Sequence, residues 1–189
     1  PGVERLAEEV INDHPEARFM VASSDTVVGP AAAAEFVRSV SEGEVDIIIG
    51  TQMVAKGYHF PALTLVGVID ADLGLAGGDL RAGERTFQLL HQVAGRAGRG
   101  ASPGRVFLQT HQPENPVMQA LAAGDRERFL ASERAARENA GMPPFGRLAG
   151  LVISAGDAAT ADQGARLVAR AAPRLDRVQV FGPAPAPLT

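Results

Sequence analysis

Two apolar runs narrow the folds open to this chain of 189 residues. VDIIIG, Val45–Gly50, and TLVGVID, Thr64–Asp70, each hold a continuous apolar stretch, Ile47–Gly50 and Leu65–Ile69, rich in β-branched side chains. A strand with one wet face would alternate apolar and polar residues, so runs of this kind belong in a parallel sheet covered on both faces. ARFMVA, Ala17–Ala22, and RVFLQT, Arg105–Thr110, read as two further strands. Between the strands the apolar spacing switches to a helical period. Val3, Leu6, Ala7, Val10 and Ile11 share a face that ends at His14-Pro15. Pro30 opens a stretch with Ala33, Phe36, Val37 and Val40 on one side, which stops near Gly43. Phe87, Leu90 and Val93 mark a helix over Arg81–Arg99. Alternating strands and helices predict an α/β fold, a parallel sheet with helices on both faces, and such sheets take ligands outside the carboxyl ends of their strands.

After Pro113 the texture changes. Helical stretches at Pro116–Ala123 and Asp125–Ala140 lead into GMPPFGR, whose Pro143-Pro144 pair stops a helix and marks the expected boundary. Beyond it Leu148–Ser154 reads as a strand, Ala158–Ala172 as a helix and Arg177–Phe181 as a strand. A βαβ-like unit of about 40 residues is small for an independent core. The expectation is therefore a second domain of which only the start is present.

Composition removes several chemistries. Cysteine is absent, which excludes disulfides, thiolate zinc sites and cysteine nucleophiles. The four histidines, His14, His59, His91 and His111, show no metal-ligand spacing, so no metal site is expected in this stretch. With 46% hydrophobic and 21% charged residues the chain is globular rather than disordered. No apolar run reaches the ~18 residues of a membrane span, and PGVERLAEEV lacks the pattern of a signal peptide, so a cytoplasmic protein without membrane contact is expected. The net charge of −4 disfavours a nucleic-acid coat but leaves room for a local basic strip.

Three segments carry candidate chemistry. In QVAGRAGRG, Gln92–Gly100, Gly95 and Gly98 weaken a helix but let another surface come close. Arg96 and Arg99, three apart, fall on neighbouring positions of a helical face and suit one phosphate, unless they are only a solvated helix end. GTQMVAKGYHFP, Gly50–Pro61, follows a buried strand. Ala55 and Gly57 spoil a GxxxxGK[ST] phosphate loop, which leaves Thr51 and Gln52 as donors, Lys56 as a cation and Gly57 for backbone access to a nucleic-acid strand, or else an ordinary polar loop. VGVIDAD ends in Asp70 and Asp72, which read as turn or capping aspartates rather than as a magnesium site, because no phosphate loop accompanies them.

In this order, DIIIGTQMVAKGYHFPALTLVGVIDADLG and RAGERTFQLLHQVAGRAGRG resemble motifs V and VI of superfamily 2 helicases. More narrowly they resemble the PriA family (primosomal protein N′) of replication-restart DNA helicases. VFLQTHQPENP, the MPPF joint at Met142–Phe145 and GPAPAPL near the end fit the same pattern, so the resemblance covers nearly the whole chain. It implies that residues 1–145 are the second RecA-like helicase lobe and 146–189 the incomplete start of an α/β C-terminal domain. It also implies that Walker A, the DExH box and a zinc-binding cysteine insertion lie upstream, so that this stretch alone is inactive. ATP and Mg2+ would be bound mainly by the first lobe. The residue roles implied are catalytic for Arg99 and Arg96, cofactor-binding for Gln92, Gly57 and Gly95, and nucleic-acid-binding for Thr51, Gln52 and Lys56. His59 stands where many relatives carry an Asp that touches the ATP ribose. The implied partners are single-stranded and forked DNA, the first lobe of the same chain, primosome proteins and single-strand-binding protein. The implied activity is that of an ATP-dependent 3′-to-5′ DNA helicase in primosome assembly and replication restart. A motor lobe of another superfamily 2 translocase and a non-enzymatic phosphate- or nucleic-acid-binding module remain the alternatives.

Overall fold

The computed structural model describes residues 2–23, 25–51, 60, 62–75, 79–98, 103–173, 175–176 and 178–184. The chain divides into two compact units, Pro1–Ala76 with Arg81–Phe129, and Gly77–Leu80 with Leu130–Thr189.

In the first unit helix α1 (Val3–Asp13) carries the expected apolar face and ends at His14, before Pro15. Strand β1 (Phe19–Ala22) leads to helix α2 (Gly29–Ser41), which Gly29 opens at φ 83° with Pro30 in the first turn. Strand β2 (Ile47–Gly50) returns parallel to β1, with Phe19 opposite Ile47 and Ala22 opposite Gly50. The register is held at its start by a fork: Arg18 donates Nε to Asp46 Oδ2 at 2.9 Å and Nη2 to Oδ1 at 2.7 Å. That guanidinium and the Arg18 amide hold the Asp46 carboxyl down to about 2. Ala22, Phe36 and Phe60 form the buried cluster over this pair, the two rings edge-to-face at 5.8 Å.

Strand β3 (Leu65–Val68) pairs in parallel with β4 (Arg105–Leu108), and helix α3 (Ala82–Ala94) connects them. Among the described residues the strands thus form two parallel pairs. Helix α4 (Pro116–Ala123) starts at Asn115, whose side chain accepts the Val117 amide at 3.0 Å, and stops at Gly124 in the left-handed region. Phe87 of α3, Val117 and Ala120 of α4 and Phe129 make one core cluster, with the two rings stacked at 4.2 Å; Ala71, Leu90 and Met118 make its neighbour. The fold is mixed α/β with short parallel strands, the class of a RecA-like lobe. One strand differs from its reading: β3 alternates, with Leu65 exposed by 56% and Val68 packed inward, so TLVGVID is covered on one face rather than two.

Helix α5 (Arg126–Asn139) begins in the first unit and continues into the second. There Gly141, at φ 60°, starts the turn in which Phe145 and Gly146 donate to the Met142 carbonyl. A Cβ on Gly146 would collide with the Gly141 carbonyl, 2.9 Å from its carbon, so the turn requires glycine there. Helix α6 (Ala158–Ala171) is capped by Asp157, which accepts from the Thr160 amide and hydroxyl, and these bonds hold its carboxyl below the ordinary range. The strands expected at Leu148–Ser154 and Arg177–Phe181 are not present: 147–155 and 178–184 are irregular, and Arg177 lies outside the described residues. A strand exists only with a ladder partner, and among the described residues these stretches pair with none, leaving Leu151, Val152 and Phe181 each more than three-quarters exposed.

Candidate functional site

Helix α3 stops earlier than the expected Arg99. Its last helical residue is Ala94, with Gly95 as the C-cap, and Gly98 in the following turn takes φ 73°, in the left-handed region. Arg96 therefore lies in a turn rather than in the helix, its amide bonded to the Val93 carbonyl at 3.0 Å. Arg96 is half-buried, and Gln92 is exposed in the last turn of α3. Gly95 is exposed, and its amide donates to His91 O at 3.0 Å. Arg99 lies outside the described residues. His91 stacks on Phe87 with ring centroids 5.5 Å apart.

The close approach that the glycines permit is made within the chain. The Gly98 amide donates to the Leu63 carbonyl at 2.9 Å, and its Cα faces Gly104, just before β4. Leu63 in turn donates to Phe60 O at 3.2 Å and packs on the cluster of Ala22, Phe36 and Phe60. The exit of the GTQMVAKGYHFP loop and the turn after α3 are thus joined by a backbone hydrogen bond.

At the other end of that loop Thr51 is exposed at the carboxyl end of β2, its amide 3.3 Å from the Ala22 carbonyl. Gln52, Lys56, Gly57 and His59 lie outside the described residues.

Asp72 is committed elsewhere. Although 9% exposed, its carboxylate accepts from Thr110 Oγ1 at 2.7 Å and from the His111 amide at 2.6 Å, and these bonds lower its pKa. The neighbouring Asp70, at φ 53°, gives its amide to Gln109 Oε1 at 3.1 Å. Both aspartates serve the turns at the carboxyl ends of β3 and β4, as turn chemistry predicts. Among the described residues no group of three or more His, Cys, Asp and Glu is placed to hold a metal ion, and no helix is long and apolar enough to cross a membrane.

The Asp46 and Asp72 carboxyls titrate lower in the folded chain than in the unfolded one, so their stabilisation is full above the ordinary value of 3.8 and disappears as pH falls, for Asp46 towards about 2. Asp72→Asn is expected to destabilise the chain at neutral pH, because a neutral amide replaces two charge-assisted bonds to a carboxylate, and to reduce the acid dependence. Urea denaturation midpoints measured across that window check both; an unchanged pH dependence in Asp72→Asn would contradict the assignment.

The residues that sequence reading missed are those whose partners are backbone or distant in the chain. Arg18 with Asp46 and Gln109 with Asp70 are pairs 28 and 39 residues apart, without a motif to mark them.

The model of the helicase conserved C-terminal domain matches residues 4–101, a stretch that contains both the loop after β2 and the turn after α3. The chain is 48% identical over 184 residues to the replication restart protein PriA of Rickettsia conorii, covering 97% of this chain and 28% of that protein. It is 42% identical over 153 residues to PriA of Bacillus subtilis, covering 81% of this chain and 19% of that protein, and 36% identical over 187 residues to PriA of Synechocystis sp., covering 98% and 22%. The chain thus spans about a quarter or less of the length of these relatives. With just over half its residues matched, the chain belongs to the helicase conserved C-terminal domain family.

Proposed function

We propose that this chain is the second RecA-like lobe, at residues 1–145, and the beginning of the following domain, at 146–189, of an ATP-dependent 3′-to-5′ DNA helicase acting in cytoplasmic primosome assembly and replication restart. The observation that carries the reading is the Gly98-to-Leu63 hydrogen bond, which joins the exits of the two family-matched segments. A shift at the turn that follows α3 would reach Leu63, just past that loop, through this bond.

Gln92, Gly95, Gly57, Arg96 and Arg99 would face an ATP-Mg2+ held mainly by the first lobe. An exposed amide side chain at the end of α3 and a half-buried arginine in a glycine turn suit a polyanion. Bound ATP supplies the phosphoanhydride. The chain supplies planar cationic forks for charge that develops in the transition state, so turnover depends on closure of the two lobes. Thr51, Gln52 and Lys56 would grip single-stranded or forked DNA through its phosphates, without regard to sequence. This chain alone, lacking a GxxxxGK[ST] loop, would hydrolyse ATP negligibly. Primosome proteins and single-strand-binding protein are the partners this reading gives to the whole protein.

Lys56 provides the test of the DNA side. In the full-length parent, Lys56→Ala is expected to reduce the slope of log affinity for single-stranded DNA against log salt by about 0.7, one phosphate contact, with little change in melting temperature. Fluorescence anisotropy titrations at several salt concentrations measure this slope. An unchanged slope together with a large fall in melting temperature would make Lys56 a structural residue.

A further inference from the structure

Arg137, on the last turn of α5, is mostly buried, with 15% of its side chain exposed. It donates Nε to Glu133 Oε1 at 2.8 Å, Nη1 to the Pro143 carbonyl at 3.1 Å and Nη2 to the Leu80 carbonyl at 3.0 Å. The two carbonyls belong to segments with different duties. Leu80 directly precedes Arg81, the N-cap of α3, whose carbonyl accepts the Arg85 amide at 2.9 Å. Leu80 nevertheless groups with the second unit while Arg81 groups with the first. Leu80 is 48% exposed, and the Arg137 Nη2 bond to its carbonyl ties this short segment to α5. Pro143 sits in the joint, which is itself tied back to α5 by the Met142 amide on Arg137 O at 2.8 Å and by the Arg134 guanidinium 5.9 Å over the Phe145 ring.

We propose that Arg137 is a positioning residue that clamps Leu80, the lead-in of α3, to the joint at Met142–Phe145 and so fixes the backbone from which the helix carrying Gln92 starts. A planar fork holds two carbonyls and a carboxylate in fixed directions at once; an ammonium does not. The kinetic consequence rests on the helicase reading above. The clamp itself does not.

The test compares Arg137→Lys with Glu133→Gln in the full-length parent. Glu133→Gln removes the i,i+4 ion pair but leaves both carbonyl bonds, so it controls for loss of α5 stability. Hydrogen exchange is expected to rise together at Leu80–Thr86 and Met142–Gly146 in Arg137→Lys, and at neither in Glu133→Gln. DNA-stimulated ATP turnover is expected to fall roughly 2- to 30-fold in Arg137→Lys, with the KM for ATP unchanged. Exchange that rises in one segment only, or equally in both variants, overturns the clamp. Coupled exchange with normal turnover overturns the positioning role. Absence of DNA-stimulated turnover in the unaltered parent overturns the helicase reading, and the exchange result still decides the clamp.

Discussion

Gly98→Ala is expected to be strongly destabilising. Gly98 sits at φ 73°, and a Cβ there would lie 2.8 Å from Gly104 Cα and closer still to the Gly104 amide, with no flexible side chain to yield. The left-handed backbone alone costs about 1–3 kcal/mol for a residue with a Cβ. Overpacking against backbone adds about 1–3 kcal/mol. For a chain of this size the sum corresponds to a fall of roughly 10 °C in melting temperature. Relief requires the turn after α3 to move away from Gly104, which stretches the Gly98-to-Leu63 bond. Thermal denaturation of the chain measures the first effect, and hydrogen exchange at the Gly98 amide the second. A near-neutral melting temperature would mean that the turn has room it is not seen to have.

Elements whose burial sets their pattern were legible from the residues alone. The helices at Val3–Asp13, Gly29–Ser41, Pro116–Ala123 and Arg126–Asn139 sit within a residue or two of where apolar spacing, Pro15, Pro30 and Pro143 place them, because those residues act locally. The end of α3 was not: the helical reading was carried on beyond Val93, the last residue of its apolar face, whereas the helix stops at Ala94 with Gly95 as its C-cap. The apolar texture of Leu148–Ser154 and Val178–Phe181 reads as strand, but a ladder needs a second strand, and sequence periodicity is silent on whether one is near. Asp72 was readable as a turn aspartate, whereas its partners at Thr110 and His111, 38 and 39 residues away, were not. Arg137 was invisible for a similar reason: two of its acceptors are main-chain carbonyls, and one is 57 residues distant. The glycines of QVAGRAGRG were singled out for permitting close approach, and Gly98 makes that approach to Gly104 within the same chain.

The largest kinetic effect is expected at Arg99. If its guanidinium meets charge that develops at the γ-phosphate during transfer, the interaction belongs to the transition state and its loss appears in turnover rather than in ATP binding. By analogy with arginines that act on phosphoryl transfer elsewhere, Arg99→Ala should lower turnover by roughly 10³-fold. Arg99→Lys should fail almost as badly, because a point ammonium lacks the planar fork that two phosphate oxygens accept. Arg96, half-buried and held by its amide to Val93, is the second choice, with a smaller loss. The decisive measurement is DNA-stimulated ATP turnover, with ATP affinity determined alongside, in the full-length parent carrying Arg99→Ala or Arg99→Lys. The account predicts that both variants bind ATP nearly normally and hydrolyse it on the order of 10³-fold more slowly; near-normal turnover in Arg99→Ala would contradict it and leave the arginines as a solvated end to α3.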